Sequence, residues 1–180
     1  MEDRRNVLVI IVDCLRADFA NGERDSFIPA IDRLRRNGFY FLNCISPTTT
    51  TIPNFTSLFT GLYPFEHGVR TLSGYRLSED IKTLPEILKD NGYNTYAELT
   101  GPLMKEIKLF RGFDEYNYRD SRSTIHTEWG REFMAKLGNH YKEPWFTVMH
   151  IWSLHLPRII IRERFSKKFG SSIYSRALSS

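Results

Sequence analysis

The sequence predicts an α/β protein, a mostly parallel sheet with helices packed on both of its sides. Three observations carry that expectation. Asn6 is followed by an unbroken run of Val, Leu and Ile up to Val12, which suits a strand buried on both faces better than one with a wet side. Strand-like runs and stretches of helical spacing then alternate along the chain. The helical stretches open with proline in the first turn or with a capping box, which marks them as helices rather than loops.

Taken in order, the first run ends at Asp13 and passes into a loop. Ile28, Ile31 and Leu34 recur at helical spacing up to the stop signal Gly38, and Phe39 to Ile45 reads as a second strand. Thr51 stands where a helix N-cap belongs, with Pro53 in the turn that follows and Phe55, Leu58 and Phe59 as the apolar face behind it. Thr83-Leu84-Pro85-Glu86 is a capping box whose helix closes near Asn91-Gly92, and Tyr93 to Leu99 is a third strand. A helix is expected from about Ser123 to Leu137, ending at Gly138. Trp145 to Ile151 is a fourth strand, with His150 read as a core or strand-end residue.

A length of 180 residues fits one domain spanning 1–180, and 41% apolar with 14% aromatic residues is enough for a buried core. The net charge of +4 sits in residues 158–180, which hold six Lys or Arg and one acid, so the remainder is nearly neutral. That basic stretch reads as a solvated surface, and nucleic acid is not an expected partner. Val7 to Val12 is too short for a signal peptide or a membrane span, which leads to the expectation of a cytoplasmic protein without a membrane partner. Cys14 and Cys44 lack metal-ligand spacing and are expected to be reduced, buried small residues.

In such a sheet, ligands bind beyond the carboxyl ends of the strands, where Asp13, the threonine loop and His155 all fall. The Thr51 hydroxyl would face the positive end of a helix, a place that favours an anion such as sulfate or phosphate. A threonine hydroxyl is a weak nucleophile at neutral pH and needs a metal or an adjacent base. Asp13 is the first candidate to hold that metal. Taken alone, Thr51 is more simply read as one more helix cap.

Asn6-Val-Leu-Val-Ile-Ile-Val-Asp13-Cys-Leu-Arg16-Ala-Asp18, then Thr51-Ile-Pro53, then Leu58-Phe-Thr-Gly61-Leu-Tyr-Pro64-Phe-Glu-His67-Gly68 form an ordered set. Thr83-Leu-Pro-Glu86 to Gly92-Tyr93, Gly112-Phe-Asp-Glu-Tyr116 and Trp152-Ser-Leu-His155-Leu-Pro157 continue it. As a set they resemble the sulfatase family of the alkaline phosphatase superfamily over about residues 4–157. The resemblance implies an alkaline-phosphatase-like three-layer sandwich and metal-dependent hydrolysis of a small-molecule sulfate or phosphate ester through a covalent intermediate. Thr51 would attack, and Asp13 with Thr51 would bind a divalent ion, whether zinc, calcium, manganese or magnesium. His155 would touch the anion or a metal, or else is a loop histidine at a strand end. His67 is expected to brace its turn by a backbone hydrogen bond, and Arg16 with Asp18 to form a loop ion pair.

The chain departs from that family in ways that matter. Family sulfatases carry Cys-x-Pro-x-Arg or its serine form, converted to formylglycine, whereas this chain has Thr51-Ile-Pro53-Asn54-Phe55. The Thr-x-Pro-Asn form is closer to phosphodiesterases of the same superfamily, so a phosphodiester or phosphonate ester is an alternative substrate. The cations expected after the third strand are replaced by Leu99-Thr100-Gly101-Pro102, Ser153 stands in place of an aspartate, and no Asp-His pair occurs in the sequence. With Ile173, Tyr174 and Leu178 starting an amphipathic helix, the expectation is the N-terminal portion of a sulfatase-like catalytic domain, incomplete at its C-terminus. A truncated, non-catalytic remnant is the remaining alternative.

Overall fold

The computed structural model describes residues 4–24, 26–103, 108–120 and 122–155. The basic stretch at 158–180 and the amphipathic pattern of Ile173, Tyr174 and Leu178 lie outside them. Among the described residues, four strands form one sheet: β1 (Val7–Val12), β2 (Asn94–Leu99), β3 (Glu115–Tyr118) and β4 (Trp145–Ile151). Their spatial order is β1-β4-β2-β3 and every pairing is parallel, as the sequence predicts. The helices are α1 (Ala17–Ala20), α2 (Pro29–Asn37), α3 (Thr51–Thr60), α4 (Pro64–His67), α5 (Leu84–Asp90) and α6 (Glu128–Asn139).

The two-residue period of a strand sorts side chains between the two faces. Ala97 and Leu99 of β2 and Phe146 and Val148 of β4 share one side with Ile52, Phe55 and Phe59 of α3 and Leu84 and Leu88 of α5. Tyr96 and Met149 point the other way and pack with Trp129, Phe133 and Leu137 of α6. Each fully buried aromatic or aliphatic side chain stabilises such a layer by about 1.5–3 kcal/mol. Glu98, only 2% exposed, also faces α6. Its carboxylate accepts bonds from Trp129 Nε1 at 2.8 Å, Asn117 Nδ2 at 3.0 Å and Lys136 Nζ at 3.1 Å, which satisfies a charge that would otherwise be costly to bury. The Arg119 guanidinium stacks 3.8 Å over the Trp129 ring and donates to the main-chain carbonyls of Glu98 and His150. That ties α6 to the carboxyl ends of the two central strands.

The capping box forms as predicted: Thr83 Oγ1 accepts from Glu86 N at 3.4 Å, and Glu86 Oε2 accepts from Thr83 N at 2.9 Å. Gly112, at φ +87°, packs against this turn so closely that a Cβ would lie 2.3 Å from Glu86 N. Four expectations are corrected. Phe39 to Ile45 is no strand; the segment pairs with nothing in the sheet, and Phe39 and Ile45 are 97% and 89% exposed. β-propensity acts through packing against neighbouring strands, which this segment lacks. Glu115–Tyr118 is a strand that the sequence reading does not predict, because its alternation lasts only four residues and includes Glu and Asn, which are depleted in strands. The last helix starts at Glu128 rather than Ser123 and runs past Gly138 to Asn139. Gly138 sits in open space at no positive φ, so it extends the helix instead of ending it. Finally, Cys14 and Cys44 are free but exposed, because both lie in loops beyond the core layers.

Candidate active site

Asp13 is the first residue past β1, and its N–H continues the ladder by donating to Ile151 O at 2.9 Å. The chain then turns sharply, with Cys14 at φ +59°. Facing this strand exit is the start of α3. The helix N-cap is Thr50 rather than Thr51, with extended φ −113° and ψ 144° and no side-chain cap bond. Thr51 is therefore the first helical residue. Its hydroxyl is free of capping duty and donates to Asp13 Oδ2 at 3.1 Å, across 38 residues of sequence. Asn54, one turn on, donates from Nδ2 to Ser46 Oγ at 2.6 Å and Thr48 O at 3.2 Å, which holds the threonine loop against the helix mouth.

His150, fully buried at the end of β4, is the residue the sequence reading leaves out of the site. Its Nε2 lies 3.4 Å from Asp13 Oδ2 and its Nδ1 3.2 Å from Thr100 O. Both neighbours are acceptors, so a ring N–H can donate to either of them. The signal was present in the strand period: residues 146, 148 and 150 share a face, and β4 pairs with β1 in register, Val12 opposite Ile151. Burial pushes the Asp13 carboxyl up, but hydrogen bonds from His150, Cys14 and Thr51 outweigh it and hold it below its ordinary value. Asp13 is thus a carboxylate at neutral pH.

His155 also reaches the site. Its ring stacks on Trp152 at 3.9 Å between centroids, and a Cβ on Gly101 would lie 2.9 Å from the same indole, so Gly101 makes room for Trp152. Donor atoms of Asp13, Cys14 and His155 all lie within 4.8 Å of one another. Cys14 Sγ donates to Asp13 Oδ1 at 3.0 Å, and local burial with that carboxylate pushes the thiol up to about 11. A carboxylate, a hydroxyl, a thiol and an imidazole at one strand-exit cluster make a donor set that fits a divalent cation. An open pocket of about 720 Å³ extends from Asp13, Cys14 and Thr51 past Asn54 toward Cys44 and Tyr63.

The other histidines stand apart from this cluster. Val69 N donates to His67 Nδ1 at 3.1 Å, so the proton is on Nε2, which donates to Ser57 Oγ at 3.0 Å. Burial keeps the His67 ring below its ordinary pKa, and because its Nε2 already carries the proton it offers Ser57 no base. His67 braces its turn, as expected. Arg16 and Asp18 form the expected ion pair at 2.7 Å, joined by Arg24; the bond from Arg16 draws Asp18 down to about 2. His126 and His140 are exposed. No helix among the described residues is long and apolar enough to cross a membrane.

Comparison with known proteins meets this geometry. The chain is 43% identical over 72 residues, 36% of its length, to the multifunctional alkaline phosphatase superfamily protein PehA of Trinickia caryophylli. It is 33% identical over 103 residues, 53% of its length, to iduronate 2-sulfatase of Mus musculus. The chain spans only 14% and 18% of those two proteins. Among solved structures, the phosphonate monoester hydrolase of Agrobacterium radiobacter superposes with a TM-score of 0.67 at 20% identity, over 82% of this chain and 40% of that one. A 2-O GAG sulfatase superposes equally well, at 0.67 and 21% identity, over 83% of this chain and 35% of that one. At such identities the likeness speaks to the fold, an α/β unit with a parallel sheet. The sulfatase family model matches residues 5–173, nearly the whole length, and the chain belongs to the sulfatase family.

Proposed function

We propose that this chain carries the nucleophile half of a metal-dependent hydrolase of sulfuric or phosphoric esters, with Thr51 attacking. The observation that carries this is the 3.1 Å bond from Thr51 Oγ1 to Asp13 Oδ2, which joins a helix mouth to a strand exit. A divalent cation held by Asp13 and Thr51 would supply charge neutralisation at the hydroxyl and at the ester's anionic oxygens. The chain's own groups do the rest. Asp13, held ionised by three hydrogen bonds, orients the Thr51 oxygen. The first N–H groups of α3 face the same pocket and favour the anionic end of an ester. As the Oγ1 bond to sulfur or phosphorus forms, the hydroxyl proton passes through water to the ester's alcohol oxygen, whose bond to sulfur or phosphorus breaks, and the alcohol leaves. Hydrolysis of the threonine ester then returns the hydroxyl. His155, beside Asp13, contacts the bound anion or the cation.

The choice between sulfate and phosphate rests on Thr51-Ile-Pro53-Asn54. A threonine used directly favours a phosphodiester or phosphonate ester. Turnover of aryl sulfates, phosphodiesters and phosphonate esters should be measured with zinc, manganese, magnesium or calcium added. Thr51→Ala should lower the metal-dependent rate more than about a hundredfold. Equal turnover by the variant would remove Thr51 from the mechanism. No turnover of any ester by the wild type would favour a non-catalytic unit that binds anions.

A further inference from the structure

We propose that Cys14 and His155 join Asp13 as ligands of one thiophilic divalent cation, of the zinc class rather than the calcium or magnesium class. This rests on the metal-dependent reading above and deepens it by naming the cation chemistry and two further ligands. Three protein donors of three kinds, a carboxylate oxygen, a sulfur and an imidazole nitrogen, lie within 4.8 Å of one another. Bonds of about 2.0–2.3 Å span donor pairs up to about 4.4 Å, so a movement of a few tenths of an ångström in these surface loops closes the site. Three protein ligands with the fourth position left to the reacting oxygen, here that of Thr51, parallels the arrangement of zinc sites that act on substrates. Calcium takes six to eight oxygens and magnesium an octahedron of them, whereas two of the three clustered donors here are sulfur and nitrogen.

The backbone supports the same assignment. Cys14 is one of two described non-glycine residues at positive φ, +59°. Such a conformation costs about 1–3 kcal/mol and persists where surroundings impose it, often at ligand clamps. Here it turns Sγ back onto Asp13 Oδ1. On binding, the S–H bond breaks heterolytically, the proton leaves to solvent, and the freed electron pair forms the bond to the cation; no electrons are transferred. His155 is delivered from the neighbouring strand β4, with its ring seated on Trp152. Sulfur and imidazole donors together select zinc, cobalt or cadmium over calcium and magnesium.

The test is a titration of the 180-residue chain with cobalt(II), followed by the thiolate-to-cobalt charge-transfer absorption in the near ultraviolet. Wild type and Cys44→Ser should both develop the band at one cobalt per chain, and zinc should abolish it at a more than tenfold lower concentration than magnesium or calcium. Cys14→Ser should lose the band and bind cobalt more than tenfold more weakly, and His155→Ala should bind it more weakly with the band kept. Without any variant, zinc should protect Cys14 and leave Cys44 open to alkylation, mapped by mass spectrometry. A band that survives Cys14→Ser, cobalt binding without a band, or no cobalt binding would each overturn the assignment. Thr51-dependent ester turnover is scored separately: turnover with no thiolate band sinks only this inference, and a band without Thr51-dependent turnover sinks only the hydrolase reading.

Discussion

The most apolar strand of the sheet is among its least buried, and the most polar of the central strands is almost wholly buried. β1 reads Val-Leu-Val-Ile-Ile-Val, yet Ile10 is 49% exposed and Leu8 38%. β2 reads Asn-Thr-Tyr-Ala-Glu-Leu, and every residue from Thr95 onward is buried. The difference is one of place. β2 and β4 have strands on both edges, α3 and α5 on one face and α6 on the other, whereas β1 pairs only with β4 among the described strands and lacks α6 over its outer face. Hydropathy states what a strand would gain from cover; neighbours determine whether it has any.

That contrast can be tested at both regions. Phe146, at 1% exposure on the central strand, should lose about 3–5 kcal/mol on substitution by alanine, read as a lower urea midpoint. Gly112→Ala should cost more than about 1 kcal/mol in the same measurement, because its φ of +87° and a 2.3 Å approach to Glu86 N leave no place for a Cβ. Asp114 sharpens the picture through pH. Burial raises its carboxyl, but the bonds from Lys89 and from Thr95 at the head of β2 outweigh this and leave it below the ordinary 3.8. A depressed folded pKa means its stabilisation is present above 3.8 and fades as pH falls through that value and below it. The stability gap between wild type and Asp114→Asn should therefore hold steady above about pH 5 and close below 3.8. The smallest effect belongs to the edge. Ile10→Lys should change unfolding stability by no more than about 0.5 kcal/mol, while reducing concentration-dependent association in sedimentation, since a charge on an open strand face opposes edge pairing.

The candidate site divides along the same line. Asp13 was legible because an apolar run that ends in a carboxylate marks a strand exit, and Thr51 because a proline-started apolar helix follows it. Their meeting followed from the parallel architecture. His150 was hidden because its neighbours Met149 and Ile151 make it look like ordinary core, and only the pairing of β4 with β1 turns its ring toward Asp13. Cys14 was hidden for a different reason: spacing rules look for ligands a few residues apart, whereas Cys14 meets His155 from far along the chain, after a left-handed turn at its own α-carbon. The reading of Thr51 as N-cap was one residue late, and that shift is what frees its hydroxyl to face the carboxylate.

Sequence by itself determined most of the segments that form elements, the parallel character of the sheet, and the pairing of a strand-end acid with a helix-start hydroxyl, because hydrophobic period, caps and turn residues act over a few neighbouring positions. Tertiary structure alone decided which apolar strand stays open, which predicted strand never forms, and which histidine and thiol gather around Asp13. Those outcomes depend on strand order and on turns that bring residues up to 142 positions apart in the chain into one cluster, as with Asp13 and His155, and no local pattern encodes them.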